Sequence, residues 1–80
     1  MAFENMNLGR RVARRMAQLG INQVQLAEMT GISQGRISHI RLGRIKMVEA
    51  PSIFKLADAL ECDARWLATG ELVQVNEEAE

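Results

Sequence analysis

The chain has 80 residues, enough for one domain with a modest core burying roughly 60% of its unfolded surface, and too few for a large catalytic cleft. It is 48% hydrophobic and 25% charged with zero formal net charge. No apolar run approaches the ~20 residues needed to cross a bilayer, and the first residues lack the basic start and apolar stretch of a secretion signal. The expectation is a cytoplasmic protein.

A single cysteine, Cys62, and a single histidine, His39, leave no partner for an internal disulfide and no ligand cluster for zinc. Cys62 reads as a small core or surface residue, and no metal or cofactor is implied.

Residues 1–6 read as an N-terminal arm. Along the whole chain β-branched residues never alternate with polar ones over a strand's length, so helices are the default reading. The first runs from about Asn7 to Leu19, with Leu8, Val12, Met16 and Leu19 on one apolar stripe and Gly20 as its stop. Asn22 and Gln25 have the spacing of a capping box for a second helix over about Gln23 to Thr30, with Leu26 and Ala27 inward and Gly31 ending it. After a very short turn at Ile32, Ser33 suits the cap of a third helix, about Gln34 to Leu42, closed by Gly43.

"GRIKMVEA", Gly43 to Ala50, reads as a loop whose apolar Ile45, Met47 and Val48 tuck under the domain. Pro51 or Ser52 opens a fourth helix through about Leu60, in which Ile53, Leu56, Ala57 and Leu60 follow the i, i+3, i+4, i+7 pattern. Asp63 caps a fifth, with Trp66 and Leu67 supplying bulk before Gly70. The domain thus spans 7–71, and residues 72–80 read as an acidic tail or a linker to a further domain.

Charge is segregated along this order. Between Leu8 and Lys46 there are eight basic residues and one acidic, Glu28, a balance of +7. From Glu49 to Glu80 two basic residues face eight acidic ones, a balance of −6, and Glu4 closes the sum to zero. A basic half suits a polyanion while an acidic half faces solvent or a basic partner. Solvated helix faces that happen to segregate are the plainer alternative.

"NQVQLAEMTGISQGRISHIRLG", Asn22 to Gly43, resembles the lambda-repressor-like helix-turn-helix family of the Cro and repressor type. The Gln-x-x-Leu-Ala opening, the Gly-Ile-Ser turn and the Ile-x-x-Ile-x-x-Gly close sit at that family's spacing. "PSIFKLADAL" and "DARWLATGE" are similar to its fourth and fifth helices, so the resemblance covers roughly Leu8 to Glu71. It implies an all-α, five-helix DNA-binding domain with the helix-turn-helix at helices two and three.

In that family the third helix lies in the major groove. The resemblance then assigns Gln34, Gly35 and His39 to base-reading positions, with Arg36 and Ser38 beside them. Gln34 has the geometry for adenine N6 and N7, and Arg36 for guanine O6 and N7 or else a phosphate. His39 either meets a base edge or is merely exposed. Gly35 either lets the helix sit deep in the groove or is simply tolerated in a first turn.

Gln23 matches the family's phosphate-binding position at a helix N-terminus. Arg41, Arg44, Lys46 and Arg14, with Arg11 after them, are further phosphate candidates. Many members pair an arginine of the first helix with a glutamate near the end of the third. The corresponding residues here are Met16 and Arg41, so Met16 is expected in the core and Arg41 toward solvent or phosphate.

An enzyme is disfavoured: Ser38 and His39 are adjacent, and adjacent helical residues do not face each other. The implied function is a sequence-specific transcriptional regulator, of phage or prophage repressor type, binding a palindromic operator as a homodimer with half-sites ~34 Å apart. Arg65, Trp66 and Leu67 are the dimer candidates, with a core role for Trp66 and Leu67 equally open. An antitoxin-type or other protein-binding regulator on the same fold is the alternative.

Overall fold

The computed structural model describes residues 1–71; the expected acidic tail, 72–80, lies outside the described residues. Five helices follow the order read from the sequence: α1 (Leu8–Leu19), α2 (Gln23–Thr30), α3 (Gln34–Arg41), α4 (Ala50–Leu60) and α5 (Ala64–Thr69). Three of their starts, at α2, α3 and α5, carry side-chain caps. At α2 both halves of the capping box are present: Gln25 N–H donates to Asn22 Oδ1 and Asn22 N–H to Gln25 Oε1, each at 2.8 Å. The Ser33 hydroxyl accepts from Arg36 N–H (3.1 Å) at α3, and the Asp63 carboxylate from Trp66 N–H (2.9 Å) at α5.

The expectation of helices alone needs one correction. Ala2–Glu4 (β1) and Met47–Glu49 (β2) pair as a two-stranded antiparallel sheet in the register Ala2↔Glu49, Phe3↔Val48, Glu4↔Met47. Asn5 N–H to Lys46 O (2.7 Å) and Ala50 N–H to Met1 O (2.8 Å) extend the pairing at both ends. The alternation is real, with Phe3 and Val48 turned inward between exposed neighbours. Over three residues it is too short to register as a period in the sequence. Much of the segment read as a loop is therefore built into the domain together with the N-terminal arm.

One core joins the elements: Leu8, Val12 and Met16 of α1, Leu26 of α2, Ile37 and Ile40 of α3, Val48 of β2, Ile53, Leu56 and Leu60 of α4, and Leu67 of α5. Full burial of each large aliphatic side chain contributes about 1.5–3 kcal/mol. Met16 packs here as expected. Cys62 lies half-buried against the same core, and burial pushes its thiol pKa up, with Asp63 adding to the effect against the opposing field of Arg15.

Two local devices fix α3. In the α2–α3 turn, the buried Thr30 hydroxyl donates to Leu26 O (2.8 Å) and accepts from Ile32 N–H (3.1 Å), while Gly31 takes a left-handed conformation (φ 75°). Ile32 plugs into the core behind it. At the crossing of α1 and α3, a Cβ on Gly9 would lie 2.0 Å from Ile40 O and 2.9 Å from Arg41 O. Only glycine permits that approach.

Candidate nucleic-acid interface

With ~100° per residue around a helix, burying Ile37 and Ile40 determines what α3 presents outward. Gln34, Gly35 and His39 are exposed, and Arg36 and Ser38 are half-buried at the flanks. A Cβ on Gly35 would meet nothing within 4 Å, so the fold places no demand on glycine there. Leu42, 61% exposed, continues the outward face past the end of the helix.

Gln23, at the first position of α2, is bonded to both ends of α3. Its Nε2 donates to Gln34 O (3.3 Å), and its Oε1 accepts from the Arg41 guanidinium (2.7 Å). Helical side chains lean toward the N-terminus, which lets Arg41, in the last turn, reach back along α3. The guanidinium has five N–H donors, and one of them goes to Gln23. A cation is thereby held beside the N-terminus of α2, where unpaired N–H groups and the helix dipole already favour an anion. Arg44 and Lys46 are exposed in the connection from α3 to β2, where Arg44 N–H donates to His39 O (2.8 Å).

The four arginines of α1 divide into two pairs. Arg10 and Arg14 are exposed on its outer side, and Arg10 borders a shallow cleft with Arg41, Leu42 and Gly43. Arg11, a phosphate candidate from the sequence, is instead bonded to carbonyls of the fold itself. Its Nε donates to Leu67 O (2.9 Å) and an Nη to Ala68 O (3.2 Å) and Met6 O (3.3 Å), and burial lowers its pKa. Arg15 does the same for α4, donating to Leu60 O (3.0 Å) and Glu61 O (3.3 Å). Both satisfy the carbonyl ends of helices and complement their dipoles. Arg10 is the surface cation that sequence reasoning missed; its i, i+4 spacing from Arg14 was the available signal.

Of the three dimer candidates, Arg65 is exposed and Trp66 half-buried against the core, whereas Leu67 is fully buried, so its side chain has no surface to offer a second copy. Beside Arg65 lies an apolar groove lined by Met1, Phe3, Ile53, Phe54, Ala64 and Ala68, with Phe54 60% exposed. Among the described residues no group of three or more His, Cys, Asp or Glu is placed to hold a metal, and no helix is long and apolar enough to cross a membrane.

A helix-turn-helix family model matches residues 12–67. The chain belongs to the lambda-repressor-like helix-turn-helix family. Among solved structures it is similar to the P22 c2 repressor in complex with a synthetic operator, at 28% identity and TM-score 0.73, covering 80% of this chain and 96% of that one. It is also similar to the P22 c2 DNA-binding domain in solution, at 30% identity and TM-score 0.73, covering 86% and 90% of the two chains. A third is the restriction-modification controller protein C.AhdI from Aeromonas hydrophila, at 27% identity and TM-score 0.72, covering 79% and 94%. No curated protein sequence matches the chain.

Proposed function

We propose that the chain is a DNA-binding transcriptional regulator that reads duplex DNA by laying the outward face of α3 in the major groove. The observation carrying this reading is that face itself: Gln34, Gly35 and His39 exposed on a helix locked from behind, flanked by exposed Arg10, Arg41, Arg44 and Lys46. Gln34 reads adenine through N6 and N7, and His39, Ser38 and Arg36 complete the base contacts. Gly35 lets the helix approach the floor of the groove. Gln23 with the α2 N-terminus, Arg41, Arg44, Lys46, Arg10 and Arg14 meet phosphates, supplying affinity while the bases supply specificity.

The regulator is a repressor of phage or prophage type, acting as a homodimer on a palindromic operator with half-sites ~34 Å apart. Dimerisation uses the α5 side of the molecule. Arg65 and the exposed edge of Trp66 lie in the contact beside the apolar groove, and Leu67 anchors α5 from within.

Selection of bound sites from a random duplex pool tests the reading. A two-fold symmetric consensus supports it, and no enrichment above non-specific binding overturns it.

A further inference from the structure

Asn5, just ahead of α1, is half-buried and bonded in three directions. Its side-chain Nδ2 donates to Ile45 O (2.8 Å) and Ile40 O (3.1 Å), and its Oδ1 accepts from Gly9 N–H (3.0 Å). Its backbone N–H donates to Lys46 O (2.7 Å). The amide has one usable orientation: flipped, its oxygen would face two carbonyls and its NH2 an N–H.

The two carbonyls it holds bracket a functional junction. Ile40 belongs to the last turn of α3, and Ile45 sits between Arg44 and Lys46. Between them the chain passes through Gly43 in a left-handed conformation (φ 73°), in an exposed stretch with little packing of its own. A single amide therefore spans the connection between the base-facing helix and two exposed cations, and the β1–β2 pairing secures the far side of that connection.

We infer that Asn5 is a positioning residue for DNA binding. It holds residues 44–46 at a fixed offset from α3, so that Arg44 and Lys46 meet the phosphate backbone when α3 lies in the groove. Without it, residues 44–46 lose that offset, and the contacts of Arg44 and Lys46 no longer repay the conformational entropy of ordering the connection, so they are not made. The inference rests on the proposed DNA reading.

The test compares the dependence of operator affinity on salt for the intact protein, Asn5→Ala, the nearly isosteric Asn5→Leu, the double variant Arg44→Ala/Lys46→Ala, and that double variant combined with Asn5→Ala. The operator is the sequence selected from the random pool, and far-UV circular dichroism verifies folding at the assay temperature. Losing both cations should lower the slope of log K against log salt by about 1.8, at ~0.9 per phosphate contact. Asn5→Ala and Asn5→Leu should each lower it by at least about 0.9, and Asn5→Ala should change little once both cations are gone.

A purely structural role would weaken binding at every salt concentration without moving the slope. A wild-type slope in the Asn5 variants, or an Asn5 effect undiminished in the double variant, overturns the inference and leaves the DNA reading standing. A wild-type slope in Arg44→Ala/Lys46→Ala overturns the phosphate role of the loop, and the inference with it. Should both Asn5 variants fail to fold, tryptic nicking of Asn5→Ser decides. Faster cleavage after Arg44 and Lys46 than after Arg14 supports the inference, and unchanged relative rates contradict it.

Discussion

Gly9 and Gly35 both occupy the second residue of a helix, and their surroundings are opposite. A Cβ on Gly9 would collide with the backbone carbonyls of Ile40 and Arg41, whereas one on Gly35 would meet nothing of this chain. The first glycine sets how closely α1 approaches α3, and the second lies on the face that α3 turns away from α1. Glycine at an open helical position costs ~0.5–1 kcal/mol relative to alanine with no return from the fold. On the proposed reading the return at Gly35 comes from outside the chain, through close approach of the groove.

Substitutions on either side of α3 sharpen this contrast. Gly9→Ala carries the largest expected effect, because the obstructing atoms are backbone and cannot swing aside. Overpacking of this kind costs about 3 kcal/mol, which should lower the thermal midpoint by well over ten degrees in a domain this small. Thr30→Val comes next. It preserves shape but leaves the buried Ile32 N–H without an acceptor, at about 1–3 kcal/mol in denaturant unfolding.

The arginines of α1 supply a third test, since the i, i+4 spacing in "RRVARR" pairs Arg10 with Arg14 and Arg11 with Arg15 but does not say which pair turns inward. Arg11 and Arg15 cap the carbonyl ends of α5 and α4, so replacing either by alanine should reduce stability by about 1 kcal/mol. The salt slope of operator binding should stay unchanged. Arg10→Ala should do the reverse, keeping the melting temperature and lowering the slope by about 0.9.

Gly35→Ala should move stability in the opposite direction, gaining about 0.5–1 kcal/mol. Its affinity for the operator should nonetheless fall by about tenfold, as a misplaced methyl costing ~1.4 kcal/mol would require. Retained affinity would make Gly35 a glycine tolerated in a first turn.

What the sequence disclosed and what it hid follow from range. The α2 capping box, the Ser33 and Asp63 caps and the glycine stops are local signals, and all are found where the spacing put them. The outward face of α3 was legible for the same reason, because two inward isoleucines determine the rest of an eight-residue helix. The inward arginines were hidden, because their acceptors lie 45 to 57 residues away and no periodicity on α1 points to them. Asn5 and the three-residue strands share that character. The Gln23–Arg41 bond was half legible: the missing glutamate at position 41 freed the arginine, but only the packing of α2 on α3 shows where it goes.

Repeating the random-pool selection with Gln34→Ala addresses the role of α3 most directly. If α3 reads the groove, the consensus should keep its symmetry and spacing while losing preference at one base pair in each half-site, a discrimination worth ~1–3 kcal/mol. An unchanged consensus, with the same preference at every position, would contradict it.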